Sequence, residues 1–126
     1  MSNKLPVDGF LLEQIDSIPH LEALLLLWNS RPRLWTAEDV GKALFLKTDA
    51  ARLILADLVR KKLISVSREQ PEAFWYEQEA ERDMILTAVD SAYRTDLIRV
   101  TRLIHSKPSA AVRAFAQAFR LKKDRD

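Results

Sequence analysis

Apolar residues recur along most of this chain at three- and four-residue steps, the spacing of helices with one buried side. Leu21, Leu24, Leu25 and Trp28, with Leu27 flanking, mark one such face, and Val40, Ala43 and Leu44 mark a second. Ala51, Leu55 and Leu58 form a third at i, i+4 and i+7. Leu86, Val89, Tyr93, Leu97, Val100 and Ile104 continue as an alternating three- and four-residue seam. Ile64-Ser65-Val66-Ser67 alternates at the period of a strand instead.

The ends of these segments are marked by residues that cap or break helices. Pro6, Asp8 and Gly9 open a short first helix carrying Phe10, Leu11 and Ile15. Ser17 is an N-cap for the second, with Pro19 suited to its first turn, and Arg31-Pro32-Arg33 stops it. Leu34-Trp35 is an apolar stub of strand size. Thr36 caps the next helix with Asp39 three residues on. Lys47-Thr48 then makes a turn, and Thr48 or Asp49 caps a helix ending near Lys61-Lys62. The tip Arg68-Glu69-Gln70-Pro71-Glu72 joins the alternating strand to a returning one, Ala73 to Glu77. From Gln78 to about Ser106 no Gly or Pro interrupts the pattern. That predicts a single helix of ~40 Å with an acidic start at Glu77, Glu79, Glu81 and Asp83. Lys107-Pro108 ends it, and Ser109 caps a shorter terminal helix with Val112, Phe115, Ala116 and Phe119 on one side.

The order helix, turn, helix, ribbon over residues 36–77 is that of a winged helix-turn-helix. The expected fold is therefore mainly α with a small β-ribbon: a winged helix-turn-helix, then a long C-terminal helix and a shorter one. Residues 1–77 form the winged-helix domain with its N-terminal helical extension. Residues 78–126 form a C-terminal extension. The length of its first helix predicts a dimerisation element, because one protomer offers too little surface to bury both its sides.

Composition removes several classes of function. With no cysteine, disulfides and thiolate metal sites are excluded. No apolar run approaches the ~18 residues of a membrane span, and no signal-type segment opens the chain, so a cytoplasmic protein is expected. His20 and His105 are the only histidines and lie far apart. No Gly-rich phosphate loop, nucleophile elbow or spaced ligand cluster appears. Neither an enzyme nor a cofactor or metal is expected.

The small net charge of +2 conceals an asymmetry. Residues 1–90 hold 11 Lys and Arg against 15 Asp and Glu, whereas residues 91–126 hold 9 against 3. The basic potential lies in the extension, at Arg94, Arg99, Arg102, Lys107, Arg113, Arg120, Lys122 and Lys123.

The segment DAARLILADLVRKKLISV resembles the third helix and first wing strand of bacterial winged-helix transcription regulators. Ala51, Leu55, Leu58, Leu63 and Ile64 take that pattern's core places. The flanks LPVDGF, IDSIPHLEALLLLW and AVRAFAQAFRLKKD are similar to a group of small uncharacterised proteobacterial proteins with the same C-terminal helical extension. The first resemblance implies a DNA-binding transcription regulator acting as a homodimer on double-stranded DNA.

On that reading Thr48, Arg52 and Arg60 would reach the major groove and phosphates, and Arg68 would act from the wing. The same helix also presents Asp49, Leu53, Ala56 and Asp57 outward, and two aspartates facing phosphate oppose such binding. A protein-interaction adaptor is the alternative, with Leu53, Ala56 and Trp75 as its contact surface. Peripheral association of the last helix with a membrane surface is weaker still.

Overall fold

The computed structural model describes residues 4–107. They form α1 (Lys4–Gln14), α2 (Ile18–Asn29), α3 (Ala37–Leu44), α4 (Thr48–Arg60), β1 (Ser65–Ser67), β2 (Ala73–Trp75), α5 (Ala80–Thr95) and α6 (Leu97–His105). The expected terminal helix from Ser109 onward lies outside the described residues. Among the described residues no helix is long and apolar enough to cross a membrane.

The winged helix-turn-helix is present in the predicted order. β1 and β2 pair antiparallel with Val66 opposite Phe74. Trp35 bridges Phe74 through two 2.7 Å backbone hydrogen bonds, so the apolar stub is the third rung of the wing. Phe74 and Tyr76 point into the core, while Trp75 between them is half-buried, as alternation along a strand requires.

Ser17 and Thr36 cap as their sequence positions foretell. Ser17 Oγ accepts from the His20 N–H and Thr36 Oγ1 from the Asp39 N–H. The acidic start of α5 is also used, because the Glu79 carboxylate accepts from the N–H groups of Glu81 and Arg82. The turn from α3 to α4 needs Gly41: a Cβ there would lie 2.7 Å from the Leu46 carbonyl oxygen. That close approach lets the Leu46 N–H close on the Gly41 carbonyl at 2.8 Å, with Phe45 held left-handed at φ 59°.

The long helix expected from Gln78 to Ser106 is instead two helices. Asp96 leaves helical geometry at φ −142°, ψ 50°, and its carboxylate accepts from Arg99 Nε at 2.8 Å. Aspartate is among the weaker formers of helix interiors, although Asp96 makes no side-chain cap bond to α6. The bend turns Leu97 half outward and returns Val100 and Ile104 to the core, so that α6 packs on both α1 and α5. Ala43, expected inside α3, is exposed, and Val40 and Gly41 supply that buried face.

The core runs through both halves. Leu11 of α1, Ile15 just after it, Leu21, Leu24 and Leu27 of α2, Leu55 and Leu58 of α4, Leu86 and Val89 of α5 and Val100 of α6 are all completely buried. Helix α4 is held mainly by α3 and α2.

Candidate nucleic-acid interface

Burial of Ala51, Leu55 and Leu58 at 0% exposure fixes which side of α4 faces solvent. Arg52, Leu53, Ala56 and Arg60 are exposed there, and Asp49 stands at the amino-terminal end. Thr48 does not cap the helix but is its first residue. The N-cap is Lys47, which has no side-chain acceptor to offer, so the first N–H groups of α4 lack a side-chain cap. Thr48 and Arg52 line a cleft of about 450 Å³ with Thr36 on one side and Gln70, Pro71 and Glu72 of the wing tip on the other. The start of α4 and the tip of the wing therefore border one concave surface.

Each candidate arginine already has an acidic neighbour. Arg52 meets Asp49 at 3.0 Å, Arg60 meets Asp57 at 2.8 Å, and Arg68 meets Glu72 at 3.4 Å. All three guanidinium groups are more than half exposed. Exposed pairs of this kind are worth ~0–1 kcal/mol, so an incoming phosphate can replace the carboxylate at small cost.

Asp57 is the main correction to the outward face read from sequence. Its carboxylate is turned to His20, whose Nε2 lies 2.8 Å from Oδ2, and its side chain is only 31% exposed. The other ring nitrogen of His20 is 2.6 Å from Ser17 Oγ. In either the charged ring or the neutral ring protonated at Nε2, Nε2 donates to Asp57. Burial pushes the Asp57 carboxyl up, but hydrogen bonds from His20 and Arg60 and their charges outweigh it and hold the group below the usual carboxylate range.

The next turn of α4 is tied to the same corner. Lys61 Nζ donates to Asp16 Oδ2 at 2.9 Å and to the Gln14 carbonyl at 2.8 Å. Lys107, beyond α6, donates to the carbonyls of Leu11 and Ile15 and lies 3.9 Å from Asp16 Oδ1. Two cations thus sit at the carboxyl end of α1, where the helix dipole is negative. Asp16, His20 and Asp57 bring three ligand-type atoms within 4.8 Å of one another. With lysines answering Asp16 and Asp57 shared by His20 and Arg60, the corner is a salt-bridge network that leaves a cation little to bind.

The sequence offered His20 only as one of two distant histidines, with no partner assigned to it. It and Asp57 are 37 positions apart, and no spacing rule links them.

Among the described residues two sets of exposed apolar side chains remain, besides Leu34 next to the wing. Phe45 (95%) and Leu53 (69%) lie on the helix-turn-helix. Met84 (75%), Ile98 (68%), Leu97 and Leu12 lie on the α1, α5 and α6 side. Met84 also borders an apolar cleft of about 550 Å³ with Pro6, Val7, Ile85 and Ala88. Trp75, offered as a contact residue by the sequence, is half-buried and donates its indole N–H to Glu77 at 2.9 Å.

No protein-family model matches the chain, and no curated protein is similar to it in sequence. Solved structures are similar over nearly its whole length. MepR, a transcription regulator of the Staphylococcus aureus multidrug efflux pump MepA, has a TM-score of 0.55 at 19% identity, covering 95% of this chain and 86% of that one. A point mutant of the S. aureus protein bound to an oligodeoxyribonucleotide gives 0.53 at 21%, with the same coverage. A MarR family protein from Bacillus stearothermophilus gives 0.52 at 15%, covering 97% of this chain and 83% of that one. At these identities the likeness is one of fold: a winged helix flanked by helices, shared with bacterial transcription regulators.

Proposed function

We propose that the chain is a winged-helix transcription regulator that binds duplex DNA as a homodimer. The observation that carries this reading is the likeness of fold, over almost the whole chain, to a regulator solved with an oligodeoxyribonucleotide bound. The geometry of α4 is compatible with it. Asp57 is withdrawn to His20, leaving Asp49 as the one acidic residue of α4 among those facing outward.

In this reading the uncapped start of α4, with Thr48 and Arg52, meets phosphate and groove edge. Arg60 lies further along the same side, and Arg68 approaches from the wing. The extension of residues 78–126 pairs two copies, together with α1, through the exposed apolar residues Leu12, Met84, Leu97 and Ile98.

Fluorescence anisotropy with random-sequence duplex DNA tests the first half. Binding at low salt should weaken steeply as salt rises, and Arg60→Gln or Arg68→Gln should each reduce the magnitude of the log–log slope by about one. No binding at low salt would remove the proposal. Light scattering at micromolar concentration tests the second half: a dimer is expected for the parent chain and a monomer for Met84→Glu combined with Ile98→Glu. A monomeric parent would refute the pairing.

One observation favours a second reading, a protein-interaction adaptor. Phe45 is almost fully exposed beside the α3–α4 turn, and Leu53 is exposed on the helix that follows. Leu53, Ala56 and Trp75 would then make contacts in place of the arginines, and the chain would ignore duplex DNA at any salt concentration.

A further inference from the structure

Resting on the regulator reading, we infer that the middle of the α4 outward face recognises thymine through its C5-methyl group, using Leu53 and Ala56 as an aliphatic ledge. The argument begins with register. Asp49, Leu53, Ala56 and Arg60 follow one another at i, i+4, i+7 and i+11, so they lie in one line along the exposed side of the helix. The centre of that line has no hydrogen-bonding side chain.

A helix laid in the major groove meets four kinds of base edge. All four carry hydrogen-bond donors or acceptors. Thymine alone adds a methyl, which an aliphatic side chain can cover. Leu53 is 69% exposed and Ala56 is exposed beside it, one turn along. Their only gain on contact with a duplex comes from apolar surface, and the thymine methyl is the apolar feature that groove supplies.

The flanks of the ledge suit a polyanion. Arg52 and Arg60 stand on either side of it in sequence, and exposed Lys47 precedes the helix. Asp57, which would have put a second carboxylate next to Ala56, is instead held by His20 at 2.8 Å. Charge therefore draws the phosphates to the borders, and the aliphatic centre is left to the bases. A site built this way prefers thymine at one or two central positions of each half-site and tolerates change around them.

Uracil differs from thymine in duplex DNA by that methyl alone, which makes the test direct. Duplexes enriched from a random pool by the full chain are resynthesised with each thymine replaced in turn by uracil. Affinity should fall about fourfold at each contacted methyl and stay unchanged elsewhere. Leu53→Ser combined with Ala56→Ser, whose circular dichroism should match the parent because both side chains are exposed, should bind thymine and uracil duplexes equally. Uniform tolerance of uracil by the parent would overturn the inference and leave the regulator reading standing. Discrimination that persists in the double variant would overturn it as well. A pool from which nothing is enriched would take down both.

Discussion

The two ends of α4 use aspartate in opposite ways. Asp49, near the amino end, is 93% exposed at its side chain and pairs with Arg52, a neighbour on the same helix. Asp57, near the carboxyl end, is held by His20 from α2 as well as by Arg60. One carboxylate stays at the surface where a phosphate would meet it; the other is a half-buried strut between two helices. The difference comes from what a second element brings to the position. It teaches that the charge an interface offers cannot be counted from one helix alone.

The largest expected effect separates the inner side of α4 from the outer. Leu55→Ala should cost about 3 kcal/mol in urea denaturation, because it opens a void in a fully buried site. Leu53→Ala should stay within about 0.5 kcal/mol. Similar costs for the two would mean that the helix is rotated from the orientation described.

A smaller effect separates its two aspartates. His20→Ala should destabilise by about 1–2 kcal/mol, since it leaves a partly buried carboxylate short of a partner. Arg52→Ala, which unpairs only exposed Asp49, should be close to neutral. The pH dependence sharpens the contrast. The folded-state pKa of Asp57 lies below its unfolded value, so its contribution is complete above the usual carboxylate range and is lost as pH falls through the lowered value. The stability gap between the parent and Asp57→Asn should therefore close on acidification.

A third effect, confined to alkaline pH, lies at the join of wing and extension. Burial, with the Asp83 carboxylate accepting from its hydroxyl at 2.5 Å, pushes the Tyr76 phenol up to about 12. Its contribution is complete below the ordinary phenol value of about 10 and disappears as pH climbs from there towards about 12. Alkaline denaturation of Tyr76→Phe should lack that component.

What could be read beforehand divides along the same line between local and distant. The buried faces of α2 and α4, the caps at Ser17 and Thr36, and the order of the wing follow from spacing and residue type, which act within a few positions. Asp57 sits at the border of its helix face, and which way it turns depends on a histidine that only the folded chain brings near. The break at Asp96 was hidden because Tyr93, Leu97 and Val100 carry the helical seam across it; only the residue type at 96 hinted at it. Phe45 is similar in kind, since nothing near it in the chain says that an aromatic residue will be left uncovered. The candidate arginines and their acidic neighbours at three- and four-residue steps lie within the reach of spacing rules, whereas the histidine that takes Asp57 does not.

The lysines at the carboxyl end of α1 bear on the order in which the molecule assembles. Lys61 and Lys107 satisfy carbonyl groups at the carboxyl end of α1, and Lys107 lies 96 positions beyond its acceptor Leu11. During synthesis at ~5–20 residues per second, α1 has emerged well before that partner is available. Helix α1 is thus expected to gain its closing bonds late, from a side chain at the other end of the described residues.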